Sequence, residues 1–113
     1  MSDPASKPAT PLYEIEGREL IAESGGVRVQ VLTLAAGQCV PWHCHSEVTD
    51  TMVCLEGRIE IETRAPREVF PLEPGGRCTV PPRRAHTVVN THAGRSRFLI
   101  VQGVGRYDFI PVG

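Results

Sequence analysis

This sequence predicts an all-β fold, an antiparallel sandwich or barrel, and three observations carry that prediction. Short apolar–polar alternations with a period of two recur along the chain, which is the signature of half-buried strands. Helical periodicity is hard to find anywhere. Eleven glycines and ten prolines among 113 residues interrupt the alternations often and leave little room for long helices. A chain of this length fits one domain with a single core.

The elements follow in order. Met1 to Pro11, reading MSDPASKPATP, is small, polar and proline-rich. It predicts a disordered or extended arm over 1–11, with the barrel domain over 12–113. The arm lacks the apolar stretch of a signal peptide, so a cytoplasmic location is expected. Val27, Val29 and Val31 alternate with Arg28 and Gln30. Cys39 to His45 reads as a strand with Cys39, Pro41, His43 and His45 on one face and Trp42 and Cys44 on the other. Asp50, Met52 and Cys54 share a face of the next run, which ends in the turn Glu56-Gly57. Ile59 and Ile61 alternate with Arg58, Glu60 and Glu62, and Val69-Phe70 follow. Val88-Val89 come after His86, Phe98 to Val101 is continuously apolar, and Tyr107 and Phe109 alternate near the end. Turns marked by Gly and Pro separate these runs.

Composition excludes several functions. Twelve Lys and Arg against thirteen Asp and Glu give a formal charge of −1. A nucleic-acid partner is not expected, because phosphate binding draws on a basic surplus. No apolar run approaches the ~20 residues of a membrane span. Cys39, Cys44, Cys54 and Cys78 form no CxxC pair, so they read as free thiols acting as small apolar fillers.

His43 and His45 are the most informative pair. Two residues apart on a strand, they project from the same face and offer two imidazole nitrogens to one divalent ion. Glu47 and Asp50 are both candidate carboxylate partners. Asp50 on an inward face would need a cation or a shifted pKa. His86 follows the stiff Pro81-Pro82 turn and is a third candidate ligand.

These two segments resemble the paired motifs of the cupin superfamily. Gly37, His43, His45 and Gly57 fall on G-x5-H-x-H-x3,4-E-x6-G, with Asp50 where the family usually has Glu. Gly75, Pro81, His86 and Asn90 fall on G-x5-P-x-G-x2-H-x3-N, with Arg83 in place of the second Gly. The resemblance implies a double-stranded β-helix of jelly-roll type. It also implies a metal held by His43, His45, Asp50 and His86 inside the barrel.

Three imidazoles and a carboxylate suit Fe, Mn, Ni or Zn alike. The expected function is therefore a metal-dependent enzyme acting on a small organic molecule, an oxygenase first and an isomerase or decarboxylase next. The other reading is a metal- or ligand-binding sensor without turnover. Arg83, with Arg84 beside it, is a candidate clamp for a substrate carboxylate, and Met52 and Trp42 are candidate pocket walls. A homodimer paired through strand edges or the N-terminal arm is expected.

Overall fold

In the computed structural model, which describes residues 13–113, the alternations become ten strands. They are β1 (Gly17–Ser24), β2 (Val27–Leu34), β3 (Cys39–Cys44), β4 (Thr49–Glu56), β5 (Ile59–Thr63), β6 (Glu68–Leu72), β7 (Arg77–Val80), β8 (His86–Asn90), β9 (Ser96–Gly103) and β10 (Ile110–Pro111). The arm expected over 1–11 lies outside the described residues. Among the described residues no helix is long and apolar enough to cross a membrane.

The strands form two five-stranded antiparallel sheets, ordered β1-β2-β9-β4-β7 and β10-β3-β8-β5-β6. This is the all-β jelly-roll architecture expected from the sequence. Their facing sides enclose one apolar layer in which Leu34, Met52, Ile59, Ile61 and Phe98 have no exposed surface. Burying each such side chain stabilises the fold by roughly 1.5–3 kcal/mol, before the opposing chain entropy is counted.

Glycine is required at one turn. Gly57, between β4 and β5, has φ +79°, and a Cβ there would collide with the Ser96 Oγ and come within 2.8 Å of the Arg95 carbonyl. The chain must therefore turn with no side chain at that point.

One expectation is corrected by register. The pairs Val40↔Val88 and His43↔His86 leave one extra residue on β3, a β-bulge at Pro41-Trp42. Pro41 has no amide to donate, which suits an interrupted ladder. The bulge resets the alternation. Val40 and His43 both point inward, and Cys39 is exposed rather than sharing their face. On β2 the polar side of the alternation faces inward near one end, where Gln30 and Leu32 line the interior. The valine side forms the outer face of its sheet.

Candidate metal centre

Four strands and a returning C-terminal segment build one end of the barrel interior. β3 supplies His43 and, just beyond its end, His45. β4 supplies Asp50, β8 His86 and β9 Gln102. His43, His45, Asp50 and His86 are all buried, with one ligand atom from each lying within 4.8 Å of the others. Asp50 is only 1% exposed.

The hydrogen bonds fix how each ring faces. His43 Nδ1 donates to the Pro41 carbonyl at 2.7 Å, which the bulge brings into place. His86 Nδ1 donates to the Arg84 carbonyl at 2.9 Å, and His45 Nδ1 to the carbonyl of Asp108. With Nδ1 protonated, each neutral ring turns the Nε2 lone pair toward the centre. There, His45 Nε2 and His86 Nε2 lie 3.0 and 3.1 Å from one oxygen, Asp50 Oδ2. The other oxygen, Oδ1, accepts from Gln102 Nε2 at 3.0 Å.

Acceptors converging at hydrogen-bond distance require a cation among them, either protons on the rings or a metal ion. The edges fit a metal: two donors about 2.1 Å from one ion and at right angles stand about 3.0 Å apart. Outer partners on Nδ1 are the arrangement that orients imidazole ligands. The donor set therefore fits a divalent transition metal.

Electrostatics agree with that assignment. Burial, reinforced by the neighbouring His86, pushes His43 down to about 4, so its ring is neutral near pH 7 and free to ligate. Burial works against a proton on His45, but the Asp50 carboxylate and the Asp108 carbonyl outweigh it and raise its pKa above 6.5. Burial would likewise raise Asp50, yet its contacts with His45 and His86 hold the carboxyl far below the ordinary range. That direction favours the carboxylate form of Asp50.

An aromatic cover closes this end. Phe109 stacks on His43 with centroids 4.4 Å apart, Tyr13 stacks on Phe109 at 5.4 Å, and Tyr107 leans on His45 at 5.3 Å. The segment is tied down by Asp108, whose carboxylate accepts from the Ser46 amide at 2.9 Å and from the Ser46 hydroxyl. What remains is a cavity of about 20 Å³ with a floor that includes Met52, Phe98 and Ile100. It accommodates little more than an ion with one or two waters.

The structure thus brings His43, His45, Asp50 and His86 together and puts Met52 in the wall. It leaves Glu47 out: that residue is exposed and accepts from the Arg106 amide at 2.9 Å. Trp42 lies outside the cavity lining and carries the Arg64 guanidinium 3.8 Å above its ring. Arg83 is exposed and also outside the lining. Its φ of 66° keeps the left-handed backbone that a glycine would take, at a cost of about 1 kcal/mol. Its amide donates to the His45 carbonyl at 2.6 Å. Arg84 is engaged with Glu68 at 2.6 Å and Thr63 at 2.8 Å, so it is no free clamp. Sequence reasoning missed Gln102, Tyr107 and Phe109 as parts of the site. The Tyr107–Phe109 alternation was the available signal for the last two.

Comparisons with known proteins agree with this architecture. A family model described as a cupin domain matches residues 30–102. No curated protein sequence matches the chain significantly. Among solved structures, a double-stranded β-helix domain protein of Klebsiella pneumoniae is 20% identical with a TM-score of 0.75, covering 99% of this chain and 97% of that one. A cysteine peptidase from Thevetia peruviana latex, Peruvianin-I, is 21% identical with a TM-score of 0.72, covering 78% of this chain. This chain spans only 56% of that protein. Oxalate decarboxylase is 18% identical with a TM-score of 0.72, covering 79% of this chain and 24% of that enzyme. At these identities the structural likeness speaks to fold.

Proposed function

The chain belongs to the cupin family, and we propose that it is a metal-dependent enzyme acting on a small organic molecule at His43, His45, Asp50 and His86. The observation that carries this reading is the inward set of acceptors whose outer partners are already satisfied within the protein. Zinc, with its four-coordinate preference, would be closed off by four protein ligands, whereas iron, manganese or nickel in octahedral geometry keeps two positions. When bound, such an ion supplies Lewis-acid or redox chemistry at those positions. Oxygenase chemistry is the first expectation, and isomerisation or decarboxylation the next. The likeness to oxalate decarboxylase supports an enzyme reading for this fold.

The chain's own residues set the conditions. The Pro41, Arg84 and Asp108 carbonyls hold the three rings in one tautomer. Gln102 occupies one Asp50 oxygen and leaves the other for the ion. Tyr13, Tyr107 and Phe109 exclude bulk water, which strengthens every charge interaction inside. Burial raises the Tyr107 phenol pKa, so it stays a neutral O–H near the cavity.

The tightness of the cavity favours a second reading, a cupin that holds a metal or small ligand without turnover. Elemental analysis of untagged protein, followed by oxygen-uptake and product screens against small hydroxy and keto acids, separates the two. Stoichiometric metal with turnover lost in His86→Ala supports the enzyme. Stoichiometric metal with no turnover supports the binding protein, and protein without metal removes the enzyme and leaves only a metal-free ligand binder.

A further inference from the structure

Behind the metal centre lies a second, larger cavity of about 100 Å³. Gln102 and Tyr107 form a wall common to both cavities. The cationic group of this second cavity is Arg28 of β2, half-buried, with the guanidinium carbon 3.8 Å from the centre of the Tyr107 ring. Arg28 Nη2 donates to Gln102 Oε1 at 3.2 Å. Because a guanidinium only donates, this contact turns the Gln102 amide hydrogens toward Asp50.

Arg28 is otherwise under-used. Among the described residues it has no carboxylate within ion-pair distance. Its Nε is buried and lacks any partner. An unpaired, partly desolvated guanidinium is costly, and a planar fork held flat by an aromatic ring is preorganised for a carboxylate. The surrounding wall includes Gly25, Gly26 and Gly105, which leave room for a ligand. The register partner of Arg28, Glu23, also lines this cavity; it is exposed and competes for any cation there.

We propose that this chamber binds a small carboxylate on Arg28. The inference deepens the enzyme reading and rests on it in one respect: the carboxylate is either a free anion or part of the molecule handled at the metal. A divalent ion at the centre and Arg28 would together outweigh the Asp50 and Glu23 carboxylates, which favours an anionic ligand from either source.

The test is calorimetric titration of acetate and pyruvate into the protein, both chelator-stripped and manganese-loaded, with metal content measured on the same samples. Saturable one-to-one binding is expected, weakened at least tenfold in Arg28→Gln, by less in Arg28→Lys, and unchanged or tighter in Glu23→Gln. Manganese loading that tightens pyruvate more than acetate identifies one molecule reaching both sites; equal changes for the two identify a free anion. Arg28-dependent binding in protein that takes up no metal supports the chamber while removing the enzyme reading. No binding, or wild-type affinity in both Arg28 variants, overturns the proposal even if metal is held.

Discussion

The barrel interior holds two buried polar clusters, one near each end of β9, and they are built on opposite principles. At one end Asn90 Nδ2 reaches the carbonyls of Leu34, Ala35 and Gly94 at 3.1, 3.0 and 2.9 Å. Its Oδ1 accepts from the His92 amide at 2.9 Å and from the Ser96 hydroxyl at 2.7 Å. Ser96 Oγ in turn accepts from the Arg58 amide at 2.9 Å. Every side-chain polar atom of the cluster has a protein partner, the two Nδ2 hydrogens being shared among three carbonyls, and it is complete without help. At the other end three imidazole nitrogens and a carboxylate oxygen face one another with their outer bonds already used. That cluster is complete only with a cation. Burial and motif position are alike at both ends; the surplus of acceptors distinguishes a binding centre from a structural one.

The largest effect expected from this contrast is on metal affinity. His86→Ala should weaken it more than about 100-fold, beyond the range for outer-sphere changes, as read by competition with a chromophoric chelator. Affinity should also fall as the pH is lowered. The His45 pKa is raised in the metal-free protein, so the ion must displace a proton that acid supplies more readily. Wild-type affinity in His86→Ala would remove that ring from the centre.

Asn90→Ala should do the reverse. It strips the buried Leu34, Ala35 and Gly94 carbonyls and the Ser96 hydroxyl of their bonds to the Asn90 amide, which costs about 2 kcal/mol, while metal stoichiometry stays at the wild-type value. In urea unfolding of metal-free protein it should be less stable than His86→Ala, because removing His86 relieves acceptor crowding. The opposite order of stabilities would break the distinction between the clusters.

A smaller effect is expected at the aromatic cover. Asp108→Ala frees Ser46 and loosens the segment whose backbone carbonyl orients His45. Metal affinity should drop about tenfold, the lower end for an outer partner, with thermal stability little changed. The Ser46 hydrogen bonds hold the Asp108 carboxyl below its ordinary value. Their contribution is therefore present above that value and lost as the pH falls through the lowered pKa, so acid should reproduce part of the variant's effect. An unchanged metal affinity would show that the cover does not position His45.

Much of this was legible in the chain because both motifs are local. His43, His45, Asp50 and His86 each lie in a short segment whose spacing alone marks them, and the alternations of β4, β5 and β9 locate their inward faces. What escaped depends on contacts remote in sequence. Gln102 and Arg28 meet across |i−j| of 74, and His45 meets Asp108 across 63. The Pro41-Trp42 bulge escaped for another reason: strict alternation has no means of marking an inserted residue, so Cys39 was given the wrong face.

The cysteines give the finest test of that corrected register. Strict alternation puts Cys39 inside, whereas the bulge exposes it and leaves Cys44 partly covered, with Cys54 and Cys78 buried. Burial raises the thiol pKa of both Cys54 and Cys78 above 9.0, which disfavours the reactive thiolate. A disulfide reagent at pH 8 should therefore modify Cys39 first, Cys44 more slowly, and the buried pair only on unfolding. Raised thiol pKa values also stabilise the fold fully below pH 9, and this contribution is lost as the pH climbs through them. Mass mapping of the first modified residue decides the matter: Cys39 protected while Cys54 reacts would mean that β3 runs without its bulge, and His43 would then lose the Pro41 carbonyl that aims it at the ion.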